Sequence, residues 1–166
     1  MRLNGLPTAR RTLRALLRGL VLALAAPATV HALEPAIAVV VAHNTASALQ
    51  GPLSIQQVYA LYARKRQLWS DRSLVQAVNL PIAHPLRRSF SLWVFKHSPE
   101  DLQDYWNDQY FHGVLPPPVL ASEEAVLRFV AGTPGAIGYV SACTVDKRVD
   151  VVALIQGPEG AATCRP

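Results

Sequence analysis

Apolar residues run unbroken from Ala36 to Ala42, as Ala-Ile-Ala-Val-Val-Val-Ala. Continuous rather than alternating apolarity, rich in β-branched side chains, predicts a strand buried on both faces. Ser54 then stands three residues before Gln57, the spacing of a capping box. Behind it Ile55, Val58, Tyr59, Leu61 and Tyr62 recur at helical spacing, and Arg64-Lys65-Arg66 closes that helix, where cations suit the negative end of its dipole. Trp69 to Ser73 reads as a turn and Leu74 to Leu80 as a second apolar strand. A loop from Pro81 to Pro85 leads into a helix over about Leu86–Lys96. Ser98-Pro99-Glu100-Asp101 is a helix start, with an N-cap serine, proline at the first helical position and acids in the first turn. Leu102, Tyr105, Trp106, Gln109 and Tyr110 mark one face of that helix, and Phe111-His112-Gly113 ends it. After the rigid Pro116-Pro117-Pro118, Ser122-Glu123-Glu124 caps a further helix with Val126, Leu127 and Val130 facing inward. Gly132-Thr133-Pro134-Gly135 breaks it. Ala136 to Val140 and Val149 to Ile155 read as strands. The order β-α-β-α-α-α-β-β predicts an α/β sheet with helices on its faces.

Composition narrows the class. The 166 residues are 51% hydrophobic and 16% charged, against roughly 25% charged in an average globular chain. The net charge of +5 and pI of 9.6 invite a nucleic-acid-binding reading. Five of the 16 basic residues (Arg2, Arg10, Arg11, Arg14 and Arg18) lie in residues 1–32, which hold no acid; eleven basic residues then face eleven acidic ones. The rest of the chain is neutral, and no nucleic-acid partner is expected.

Residues 1–32 have the three parts of a secretory signal: an Arg-rich start, an apolar run from Leu20 to Ala28, and Val30-His31-Ala32 before a cleavage point. The expected cut follows Ala32, leaving 33–166 as one exported, periplasmic domain. The apolar run is shorter than the ~20 residues of a membrane span. An uncleaved amphipathic anchor is the alternative. Arg10-Arg11-Thr12-Leu13 loosely resembles a twin-arginine signal with an incomplete consensus, so both export routes stay open. In an oxidising compartment Cys143 and Cys164 favour a disulfide, worth roughly 3 kcal/mol for a loop of about 20 residues; two free thiols, or a pair too far apart to bridge, are the alternatives. Neither cysteine has a His or Cys at ligand spacing, so no metal site is expected.

No catalytic motif stands in the chain: there is no G-x-S-x-G elbow, no Walker loop and no H-E-x-x-H. An enzyme is not expected, nor a cofactor. His43, His84, His97 and His112 are scattered, and Glu123-Glu124 reads as first-turn acids at a helix N-terminus. Trp69, Trp93 and Trp106 read as core. One place invites chemistry. The strand ending near Leu80 and the helix opening near Leu86 form a βα turn, and helix starts attract anions. Arg87 and Arg88 fall in that first turn, where a cation opposes the dipole unless an anion sits there. The bland alternative is two exposed arginines lying over apolar neighbours.

Leu53-Ser54-Ile55-Gln56-Gln57-Val58-Tyr59-Ala60-Leu61-Tyr62, Trp69-Ser70-Asp71, Arg87-Arg88-Ser89-Phe90, Tyr105-Trp106 with Phe111-His112-Gly113, and Pro134-Gly135-Ala136-Ile137-Gly138-Tyr139-Val140 together resemble the short phosphate ABC transporter substrate-binding-like proteins of bacteria. These belong to the type II periplasmic binding protein superfamily. The resemblance covers roughly Val39 to Val140 and is most specific in its last block. It implies a single lobe of that fold, with a central sheet flanked by helices, a small phosphate-like oxyanion as ligand, and an inner-membrane transporter as partner. The chain departs from full-length phosphate-binding proteins in two ways. His84-Pro85-Leu86 stands where they have Ser-Gly-Thr, and one lobe stands where they have two. Weak binding is therefore expected, with Arg87 as the main charge, Ser89 and His84 as further contacts, and Asn44 and Thr45 after the first strand as possible neighbours. Arg87→Ala is expected to leave the fold intact. The competing expectation is a periplasmic interaction or sensory module that docks on a membrane sensor or transporter without binding phosphate.

Overall fold

A computed structural model describes residues 36–47 and 49–155, all within the unit Ala32–Pro166. The expected signal segment and Cys164 lie outside the described residues.

Four strands form one sheet in the order β2-β3-β1-β4: β1 Ile37–Val41, β2 Gln76–Ala77, β3 Ala136–Ser141 and β4 Asp150–Ile155. β1 runs antiparallel to both β3 and β4, with Ile37 opposite Ser141 and Ile155. β3 and β2 are parallel. Every residue of β1 and β3 is buried, which accounts for the unbroken apolar run. Five helices complete the fold: α1 His43–Ser47, α2 Ile55–Tyr62, α3 Pro85–Phe95, α4 Gln103–Phe111 and α5 Glu123–Gly132. Among the described residues no helix is long and apolar enough to cross a membrane.

The α2 cap forms as its sequence implies: Ser54 Oγ accepts from Gln57 N at 3.3 Å and Gln57 Oε1 accepts from Ser54 N at 2.8 Å. Three elements differ from the sequence pattern. α1 is one five-residue turn started by Ala46 N on Ala42 O at 2.9 Å; it is too short to show a period. The Leu74–Leu80 strand pairs with β3 only at Gln76 and Ala77. Beyond it Asn79 bridges to the 116–120 segment, its N–H on Pro118 O and its C=O on Leu120 N, both at 2.8 Å. Ser98 does cap Asp101, with Oγ to Oδ2 at 2.7 Å, but the capped residues make a turn and α4 begins at Gln103.

The core centres on Phe90 of α3, which stacks on Tyr139 of β3 at 3.9 Å and meets Tyr62 of α2 edge-on at 4.7 Å. Trp69 is buried too and donates Nε1–H to Gly135 O at 2.9 Å. Trp93 and Trp106 are half-buried rather than core. Gly135 has φ +74°, and a Cβ there would lie 2.2 Å from Leu74 O. Glycine alone lets the α5–β3 turn pass that close.

Candidate functional site

The parallel pairing of β2 and β3 brings their carboxyl ends together, and Asn79, Leu80 and Tyr139 meet there. The short loop 81–84 then returns the chain into α3. Three residues into that helix, the Arg87 side chain turns back toward the strands. Its Nη1 donates to Asn79 Oδ1. Tyr139 Oη also donates to Asn79 Oδ1, at 3.3 Å, and accepts from Leu80 N at 3.3 Å. Burial raises the Tyr139 hydroxyl above its ordinary pKa, against the pull of Arg87. The phenol therefore stays neutral and supplies no counter-charge.

Arg87 is only 9% exposed. The expectation that Arg87→Ala leaves the fold intact takes the side chain to lie outside the core, and that placement is corrected by its burial. A guanidinium hidden from water normally has a carboxylate against it. No carboxylate among the described residues pairs with Arg87: the arginines in ion pairs are Arg88 with Glu100, Arg128 with Glu124, and Arg148 with Glu124 and Asp146. The Arg148 cluster is satisfied internally. The Arg148 guanidinium holds the Asp146 carboxyl down to about 2.

Arg87 and Asn79 instead line a cleft of about 430 Å³. Its far wall is one face of α4, where Gln103, Trp106 and Asn107 stand three and four residues apart. Ile82, Pro117 and Val119 form apolar wall and rim. Asn79 is 4% exposed, and its Oδ1 serves Arg87 and Tyr139. Its Nδ2 carries no hydrogen bond to the described residues and is not sealed from solvent. Sequence reasoning missed Asn79, Gln103, Trp106 and Asn107. One signal was present: a lone amide inside the apolar run Val78-Asn79-Leu80.

The other expected contacts are placed elsewhere. The N–H groups at the start of α3 are already engaged: His84 Nδ1 accepts from Leu86 N at 3.3 Å, His84 O accepts from Arg87 N at 3.0 Å and from Arg88 N at 3.3 Å, and Pro85 has none. The helix start is thus capped from within. That corrects the expectation that its N–H groups would receive an anion. His84 Nε2 also lies 3.8 Å from Glu123 Oε1, so a carboxylate already occupies its neighbourhood. Ser89 sits on α3, half-buried, and does not line the cleft. Asn44 and Thr45 belong to α1 at the carboxyl end of β1. Asn44 Oδ1 accepts from Thr45 N at 2.8 Å, and Thr45 Oγ1 accepts from Gly135 N at 3.3 Å. Because β1 is antiparallel to β3, its carboxyl end lies beside the amino end of β3, with Val41 opposite Ile137, away from the Asn79–Leu80 end where Arg87 sits. Asn44 and Thr45 are not neighbours of Arg87. Among the described residues no group of His, Cys, Asp and Glu could hold a metal.

No protein-family model matches the sequence, and no curated protein matches it. Solved structures do match in fold, two of them described as phosphate-transport proteins. An ABC-type phosphate transport receptor from Vibrio cholerae superposes with a TM-score of 0.57 at 19% identity, over 72% of this chain and 46% of its own. A Clostridium perfringens protein assigned as a phosphate ABC transporter substrate-binding protein, with bound phosphate, gives 0.57 at 20% identity, over 73% and 46%. PstS from Borrelia burgdorferi gives 0.52 at 12%, over 80% and 51%. The chain therefore has the mixed α/β fold of these binding proteins and spans about half of their length.

Proposed function

We infer that the protein is an exported, non-enzymatic binding protein that takes a small oxyanion of the phosphate type at the Arg87 cleft. The single observation that carries this reading is the buried Arg87 guanidinium, which lacks a carboxylate partner among the described residues and lines an open cleft. A bidentate guanidinium grips an oxyanion as a lysine would not, and the Asn79 Nδ2 donors beside it would complete the contact. The fold shared with phosphate-transport binding proteins supports the ligand class. An open cleft binds a small ion weakly, on the order of micromolar to millimolar, or about −8 to −4 kcal/mol. Titration calorimetry with phosphate and sulfate tests this: the wild type binds in that range, and Arg87→Lys, which keeps the charge and loses the fork, binds at least tenfold more weakly. Equal affinities in the two proteins would exclude Arg87 as the main contact.

The export signal cut after Ala32 and a Cys143–Cys164 disulfide belong to the same reading. No free thiol stands among the described residues, and Cys143 lies just past β3, where a bridge would pin the C-terminal tail.

A second reading has its own observation. Phe111 at the end of α4 is 86% exposed, beside the exposed Tyr110 and Leu115. Apolar exposure of this kind suits a surface that docks on a transporter or membrane sensor.

A further inference from the structure

We propose that the natural ligand of the Arg87 cleft is an organic monoanion with an apolar or aromatic body, such as an aryl-alkyl carboxylate, and that a bare inorganic oxyanion is only a fragment of it. This rests on the oxyanion reading of Arg87 and specifies what the anion is attached to.

Size is the first argument. At about 430 Å³ the cleft falls in the range of sites that enclose organic molecules, roughly 300–1,000 Å³. An ion of five heavy atoms held at Arg87 would leave most of it to water. Charge is the second. The lining carries one guanidinium, Arg87, and one carboxylate, Glu100, at the rim. Glu100 is held by the exposed Arg88 at 3.4 Å, so that pair is neutral. One net positive charge remains, deep in the cleft. It matches a single negative charge, and a dianion would be left half-compensated near Glu100. Polarity along the cleft is the third. Arg87, whose Nη1 is held by Asn79 Oδ1, and the Asn79 amide sit together on the least exposed part of the lining. The walls leading out are the Trp106 ring, Pro117, Ile82 (57% exposed) and Val119 (61% exposed). A ligand with its charge at one end and an apolar body behind it buries those side chains; phosphate leaves them wet. Gln103 and Asn107 on the α4 wall can bond a polar substituent on that body.

The test compares three probes on the protein as the cell holds it: 3-phenylpropionate, acetate and inorganic phosphate. Tryptophan fluorescence reports occupancy beside Trp106, and calorimetry gives the affinities. The expected result is 3-phenylpropionate binding at least tenfold more tightly than either acetate or phosphate, with a change in tryptophan emission. Ile82→Asp, at an exposed position, should keep the wild-type circular dichroism and weaken 3-phenylpropionate at least tenfold. Phosphate binding as tightly as 3-phenylpropionate overturns this inference and leaves the oxyanion reading standing. An arylate advantage that survives Ile82→Asp puts the site elsewhere and overturns it as well. No binding of any of the three probes overturns both readings.

Discussion

Gly138 shows how one missing side chain sets the distance between two elements. It lies in the middle of β3 under α5, and a Cβ there would stand 2.4 Å from Val126 Cγ1 and 3.0 Å from Val130 Cγ2. Both neighbours are β-branched and stiff, so neither can turn away. Gly138→Ala should cost about 1–3 kcal/mol by overpacking, read from urea unfolding. Gly132 is the control: a Cβ there meets nothing within 4 Å, and Gly132→Ala should be neutral or stabilising by up to about 1 kcal/mol. Equal effects at the two glycines would contradict the packing described. The Pro134–Val140 block was legible as a motif, but the reasons for its glycines were not, because they depend on Leu74 arriving from distant sequence and on α5 folding back over β3 with Val126 and Val130.

Among the elements, those marked by an apolar run or by a cap with a helical period were legible, and those without such a mark were not. α2, α3 and α5 carry caps and a helical apolar period, and they appear within a few residues of the sequence reading. α1 has five residues and no period. The paired part of β2 shrank to two residues because Asn79 exchanges partners from β3 to Pro118 and Leu120, a long-range event with no local signature. α1 is held to β4 by an ion pair that titrates. His43 Nδ1 lies 2.8 Å from Asp150 Oδ2, and Nε2 lies 3.0 Å from Lys147 O. The hydrogen bond to Asp150, then the one to Lys147, raise the His43 pKa above 6.5. The stability this adds is fully present below pH 6.5 and is lost as pH rises through the folded-state value. NMR titration of the imidazole should give a pKa above 6.5 that falls back in Asp150→Asn. A value at or below 6.5 in the wild type would break the link between α1 and β4.

For the whole molecule, an α/β lobe was legible because strand-type and helix-type runs follow one another along the chain. Arg87 was legible as a candidate; its setting was not. Reading along the chain placed the anion at the α3 N-terminus and grouped Asn44 and Thr45 with it. The antiparallel β1–β3 pairing puts that group at the other end of the strands, and His84 closes the helix start. The cleft instead draws Asn79 from a strand end, Arg87 from α3 and Trp106 from α4, three segments that only the fold brings together. Export and oxidation can be read in one spectrum. The intact mass of protein from the periplasm should equal Leu33–Pro166 less two hydrogens; a mass that includes Met1, or one without that two-hydrogen loss, would contradict the respective claim. The central claim, that an anion is held by Arg87 and Asn79 in the cleft, is tested most directly by ¹⁵N shift mapping of the side-chain amides and guanidinium during a phosphate titration. The account predicts saturable shifts at Asn79 Nδ2 and Arg87 at millimolar phosphate, with smaller ones at Gln103 and Asn107 and none at Asn44. Shifts confined to His84, Asn44 and Thr45, or no saturable shift at all, would contradict it.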